Sequence, residues 1–305
     1  MTIFINGSEL DFKLEKEKTL LEVLNSLESW IDNQGHQLEE IDVDGAPLVA
    51  DNMDDWKDNP IGELGRIDLT TISKVEARIG YLQALYQFFL LLQRSLEENN
   101  DALLGQIAST YPDIRVKLSH LFPAPESQSQ HTFTERLDEF LTGSGIFTTG
   151  KVPENPETLI ELVSKLNLII SELIREITNP LTELLTTAHL LNNLISEMEE
   201  ISVLLQTGKD KEAMESIIRF TELSQKLIRI YPNLMHHGIV DVTKEKIQEK
   251  PFHEFYREFN STLTELTNAF QANDTVLIGD LLEYEIAPRL EELTHFLENI
   301  KGKEK

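Results

Sequence analysis

The side chains able to do chemistry in this chain are few and widely spaced. Glu292 and His295 stand three apart in a helical stretch, the Glu-x-x-His unit that puts two metal ligands on one helix face in di-iron bundles. Such a centre takes a second unit of the same kind plus two further glutamates, and no other Glu-x-x-His occurs here. His236-His237 precedes Gly238 with no carboxylate at ligand spacing, the pattern of a surface pair rather than a metal clip. His253-Glu254 begins as a zincin motif would and fails at its last position, where Arg257 stands. There is no phosphate-cradling Gly-rich loop, and Gly143 and Gly145 lie in a stretch without strand-to-helix order. No serine sits in a Gly-x-Ser-x-Gly elbow. Glu197, Glu199 and Glu200, and the pair Glu291-Glu292, read as solvated helix faces. Catalytic acids must converge in space, and spacing along the chain does not show it. The expectation is therefore no catalytic residue, no cofactor-binding residue and no metal ligand.

The totals narrow the classes further. A chain of 305 residues can bury a sizeable core and suggests two domains. Its 53 acidic against 27 basic residues leave a formal charge of −26. That balance repels nucleic-acid phosphate and anionic membrane surfaces and favours basic protein partners. No cysteine is present, which removes disulfides, thiol chemistry and Cys-ligated metals. The opening MTIFINGSELDF lacks a basic segment followed by an apolar one, so no secretory signal is read. The densest apolar run, Phe88 to Leu92, is far short of the ~20 residues a spanning helix needs. The expected setting is cytoplasmic, without membrane insertion.

The positioning elements fall into a short mixed head and a long helical remainder. In residues 1–72, Thr2-Ile3-Phe4-Ile5 is a strand run and Asn6-Gly7 a hairpin turn. Leu10, Phe12 and Leu14 alternate as on a second strand. Thr19 and Glu22 make a capping box for a helix that buries Leu20, Val23, Leu24, Leu27, Trp30 and Ile31. Ile41 and Val43 lead into a turn at Asp44-Gly45, Leu48 and Val49 follow it, and Ile67, Leu69 and Ile72 alternate on a last strand. This order resembles the ubiquitin-like β-grasp family, and the opening "MTIFINGSELDF…KTLLEVLNSL" is most similar to a bacterial sulfur carrier. Such carriers act through a free C-terminal Gly-Gly. Here Gly65 lies inside the unit and the chain continues past it, so the resemblance implies a docking head rather than a carrier.

Residues 73–122 read as a helical hairpin. Its first helix runs about Ser73 to Leu96, with Ile79, Leu82, Leu85, Tyr86, Phe89, Leu90 and Leu92 forming a core face. Tyr81 and Phe88 lie at the edges of that face. After the polar turn Glu97 to Asp101, a second helix is expected to stop or bend at Pro112. Residues 123–156 hold four of the eleven prolines and read as a linker with one short helix near Thr134–Leu141. Residues 157–300 read as a helical bundle. Its main feature is a stripe spaced alternately three and four: Leu159, Val163, Leu166, Ile170, Leu173, Ile177, then Leu181, Leu184, Ala188, Leu191, Ile195 and Met198. Asn179-Pro180 interrupts it, and a kink or break is expected there. Pro232 and His236-His237-Gly238 mark a loop, with Ile239, Val240 and Val242 as an extended piece. Two helices follow, Phe252–Ala272 and Thr275–Ile300, the last bent at Pro288. Helix starts after Asn100-Asp101, Gly208-Lys-Asp210 and Asn273-Asp274 look alike, a pattern that a duplicated bundle, a short solenoid or helical composition alone would give.

The expected fold class is mainly α: a small N-terminal α+β, β-grasp-like domain followed by an elongated helical bundle with long, partly coiled-coil-like helices. With chemistry missing and helix faces abundant, the expected role is a non-enzymatic scaffold or adaptor that binds other proteins, basic ones favoured. The stripe over residues 159–206 either serves a homodimer or is filled by the chain's own helices. The alternatives are a secretion- or assembly-type helical chaperone that shields a client helix, and a carrier or enzyme-associated β-grasp protein.

Overall fold

The computed structural model describes residues 1–12, 16–48, 52–122, 132–236, 245–247, 249–272 and 274–303. The chain is mainly helical behind a small N-terminal sheet, and it divides into two compact units, Met1–Ile170 and Ser171–Lys305.

The first unit opens with strands β1 (Thr2–Ile5) and β2 (Ser8–Leu10), helix α1 (Leu20–Asn33), and strands β3 (His36–Val43) and β4 (Ala46–Pro47). A short helix α2 (Met53–Trp56) and a 3₁₀ turn at Ile61–Glu63 lead into β5 (Arg66–Ser73). The sheet order is β2-β1-β5-β3-β4, with the central β1–β5 pair parallel and the other pairs antiparallel. Both tight turns carry positive φ at their two central residues, Asn6-Gly7 and Asp44-Gly45, the backbone twist that favours Asn-Gly and Asp-Gly in two-residue hairpins. Each turn is also tied to the last strand. Asn6 Oδ1 accepts from the Thr71 amide at 2.9 Å, and Asp44 Oδ1 accepts from the Arg66 and Gly65 amides at 2.7 and 3.0 Å. A Cβ on Gly65 would come within 2.9 Å of that oxygen, so a larger residue there would push the Asp44 carboxylate away from these amides.

One face of the sheet is covered by α1, which starts at the expected Thr19–Glu22 capping box. Leu20, Val23, Leu24, Leu27 and Ile31 bury against Ile3, Ile67 and Leu69. Trp30, expected in this stripe, is 38% exposed. Leu14 and Val49 lie outside the described residues.

Ser73 ends β5 and at the same time caps helix α3 (Lys74–Glu97) through a box with Glu76. Helix α4 (Asp101–Leu121) packs back on α3 after a turn in which Asn99 takes φ 51° and Asn100 caps Leu103 N. The turn is as the sequence indicates, but α4 continues through Pro112. Ile107, Tyr111, Ile114 and Leu118 are buried on both sides of the proline, so packing offsets its cost of ~3 kcal/mol. On α3, Phe88 enters the core with Phe89, while Leu90 faces outward. Phe88, Tyr111 and Phe147 then form an aromatic cluster. Burial, and secondarily the Asp138 carboxylate, push the Tyr111 phenol well up from its ordinary range. Helices α5 (Phe133–Gly143) and α6 (Ile146–Thr149) pack on α4 and on each other, with Leu137, Leu141 and Ile146 buried. The run Glu126 to Gln130 lies outside the described residues.

Helix α7 (Glu157–Thr178) contains the boundary between the two units. It is followed by α8 (Pro180–Glu199), α9 (Ile201–Gln206), α10 (Asp210–His236), the two-stranded β6 (Lys246–Ile247) and β7 (Lys250–Pro251), α11 (Phe252–Ala272), α12 (Thr275–Asp280), a π-helical segment (Leu281–Ile286) and α13 (Ala287–Lys303). In the second unit α8 packs against both α10 and α13, around a core that includes Leu184, Leu191, Phe220, Leu227, Phe259 and Leu293. Every residue of the long sequence stripe, from Leu159 to Met198, is buried within the single chain. Only the other faces of these helices remain for a second copy.

The expected break occurs at Asn179. Pro180 has no N–H, so the carbonyl four residues earlier, Glu176 O, loses its helical donor. Asn233 on α10 supplies one: its Nδ2 donates to Glu176 O at 3.1 Å. The Glu176 side chain is 1% exposed and receives Arg229 through two 2.7 Å bonds, from Nε and Nη2. Lys226 reaches Glu172 and also Glu183 across the break, the latter at 3.0 Å, and Arg175 meets Glu183 at 3.2 Å. The interruption is thus held by three carboxylates and three cations from α7, α8 and α10.

The second unit departs from the sequence reading in two places. Pro232 lies inside α10, which continues to His236; Ile230 and Leu234 are fully buried on either side of it, so no loop forms there. Near Pro288 the chain widens into the π-helical turn instead of simply bending. The wider turn accommodates a ring whose i−4 carbonyl has no donor, and Arg289 Nη1 donates to Glu285 O at 2.9 Å beside it. The extended piece expected at residues 239–242 lies outside the described residues.

Candidate functional site

Among the described residues, those singled out for metal or acid–base chemistry do not assemble into a metal-binding group, and His237 lies outside them. His295 Nδ1 lies 3.0 Å from Asn299 Nδ2, its neighbour one turn on, rather than facing a second carboxylate unit. Glu197 pairs with Arg219 at 2.8 Å. Gly143 ends α5, and Gly145, at φ 74°, turns the chain into α6. Among the described residues no group of three or more His, Asp or Glu side chains is arranged to hold a metal ion, and no helix is long and apolar enough to cross a membrane.

The site the first unit does build is an apolar trough of about 480 Å³ between α5 and the N-terminal part of α7. Its construction is local. Thr132 and Glu135 close a capping box that fixes the start of α5, and Leu137 and Leu141 anchor one side of the helix in the core. The adjoining side presents Phe133 and Phe140, 44% and 43% exposed, and Leu137 lines the trough with them. The two phenylalanines are seven residues apart, two helical turns, or roughly 10 Å along the trough. Leu162 and Leu166 line the facing wall. Cations mark the rim: Arg136 on α5 and Lys165 on α7. Lys165 Nζ sits 2.6 Å from Glu161 Oε1, and this hydrogen bond holds the Glu161 carboxyl below its ordinary range.

Apolar walls with charges only at the rim suit the capture of apolar side chains rather than bond making. Sequence inspection places Phe133, Leu137, Phe140 and Leu141 on a short helix but gives no sign that the phenylalanines stay half exposed while the leucines are buried.

Comparison with known proteins divides the chain in a related way. A family model described as the TP0873 N-terminal domain matches residues 1–73, the segment that ends where β5 becomes α3. A second, described as a domain of unknown function (DUF8042), matches residues 182–296, which lie within the second unit. An uncharacterized protein of Treponema pallidum (strain Nichols) is 29% identical over 101 residues, a match covering 32% of this chain and 48% of that protein. The match thus spans about half that relative's length. No solved structure matches.

Proposed function

We propose that this protein is a non-enzymatic adaptor of the cytoplasm that holds a helical segment of a partner protein in the α5–α7 trough. The observation that carries the reading is the pair Phe133 and Phe140, held two turns apart beside a ready-made apolar channel. That is the spacing at which an amphipathic helix presents anchors at i, i+3 or i+4, and i+7. The formal charge of −26 favours a partner that is basic outside its apolar face and speeds their encounter at low salt.

The head fits the same role. The β2-β1-β5-β3-β4 order with its parallel central pair supports the β-grasp reading. Its last strand passes directly into α3 at Ser73, so it has no free carboxylate to carry a group. A docking module is the reading that remains.

The test is photo-crosslinking from position 140 of the full chain in its host, followed by affinity measurement with the captured partner. Phe140→Asp should weaken that partner at least tenfold, because it removes one of the two aromatic anchors and sets a charge against the partner's apolar face. Its melting temperature should stay near wild type, since the ring is nearly half exposed. Equal binding by Phe140→Asp and wild type would remove the trough as the site.

A further inference from the structure

The α5–α7 trough carries one charge that the rest of the chain leaves unanswered. Arg136 lies three residues after Phe133 and four before Phe140, so it shares the stripe of α5 that bears both half-exposed rings. It stands at the rim of the trough and is itself exposed. All ten arginines of the chain are described, and eight of them meet a carboxylate. Among the described residues Arg78 and Arg136 meet none.

An unpaired arginine is unexpected where 53 acidic residues face 27 basic ones, and carboxylates are not lacking nearby. Each is committed to another group. Glu135 Oε2 accepts from the Thr132 amide at 2.8 Å in the cap of α5, and Asp138 meets Arg115 at 3.2 Å. Glu139 also has a partner of its own. Of the charged side chains that line the trough, Glu161 and Lys165 cancel at 2.6 Å, which leaves Arg136 uncompensated between the two rings.

An exposed guanidinium is hydrated at no cost. A helix laid over Phe133 and Phe140 strips that hydration, and a desolvated cation without a counter-charge is unfavourable. A carboxylate on the arriving helix restores the balance, because the guanidinium fork can hold it through two parallel hydrogen bonds.

We propose that the helix received by the trough carries an Asp or Glu beside its apolar anchors, and that Arg136 selects for it. The inference rests on the trough being the docking site; the partner can be basic everywhere else.

The experiment uses the full chain and two short synthetic helices with leucines at i, i+4 and i+7. They differ only in the residues flanking the leucines, glutamate in one and glutamine in the other. Affinities are measured by fluorescence anisotropy at about 0.15 M salt, where the field of distant carboxylates is largely screened. Arg136→Gln should weaken the glutamate helix roughly tenfold, as the loss of a charged hydrogen-bonded pair does, and leave the glutamine helix within about twofold. Arg136→Lys should recover only part of the loss, since an ammonium lacks the fork. Phe140→Asp should weaken both helices. If it does so while Arg136→Gln affects the two helices equally or not at all, the carboxylate preference is overturned and the trough stands. If Phe140→Asp changes neither, or neither helix binds the wild type, the trough reading falls and this inference with it.

Discussion

Lys226 carries its charge into a place where 12% of its side chain is exposed. Burial pulls its pKa down, but the Glu172 and Glu183 carboxylates outweigh that and leave it raised. Tyr256, whose hydroxyl donates to Leu227 O in the same unit, is also raised, by burial first and Tyr231 second. For both groups the folded state favours the protonated form. Their stabilisation is complete below the unfolded values near pH 10 and is lost as pH rises past them. Denaturant midpoints should therefore fall between about pH 9 and about pH 11, each group adding at most ~1.4 kcal/mol per pH unit. Tyr256→Phe should lower stability at neutral pH and make the alkaline slope shallower; an unchanged slope would show that the phenol does not titrate with unfolding. None of this was visible in the sequence, where a glutamate on a helix looks solvated until another element arrives beside it.

At the scale of elements, starts were easier to read than stops. The Thr19–Glu22 box is a local pattern and forms where the sequence puts it; those at Ser73–Glu76 and Thr132–Glu135 form the same way. Prolines behaved differently because their effect depends on neighbours. Pro112 and Pro232 are absorbed into α4 and α10, while Pro180 breaks the α7–α8 line and leaves Glu176 O to Asn233. That division can be measured. Asn233→Ala should cost about 1–2 kcal/mol by orphaning the carbonyl. In a Pro180→Ala background an amide returns four residues on, and the penalty should shrink by about 1 kcal/mol. Strict additivity of the two changes in denaturant melts would show that Asn233 does not serve the break.

At the scale of the whole molecule, charge acts in a way that no single contact describes. With 53 acidic and 27 basic residues, repulsion among carboxylates opposes the folded state at low ionic strength, and salt screens it. The melting temperature should rise between about 0.01 M and about 0.15 M salt; a flat response would show that repulsion among the surface carboxylates does not limit the stability of the fold. Raising salt over the same range should weaken a basic partner by slowing its association.

The amino-acid sequence by itself determined the small mixed head, the predominance of helix, the Asn179-Pro180 interruption and the twelve-residue apolar stripe. Each is written in periodicity or in turn and cap residues that act within a few positions of themselves. Only the tertiary structure decided that the stripe is covered by the chain itself. It alone decided that Phe133 and Phe140 stay half exposed beside a trough while Leu137 and Leu141 are buried. Those outcomes depend on which helix lies opposite. Period and composition fix which side of a helix is apolar, and not what meets it.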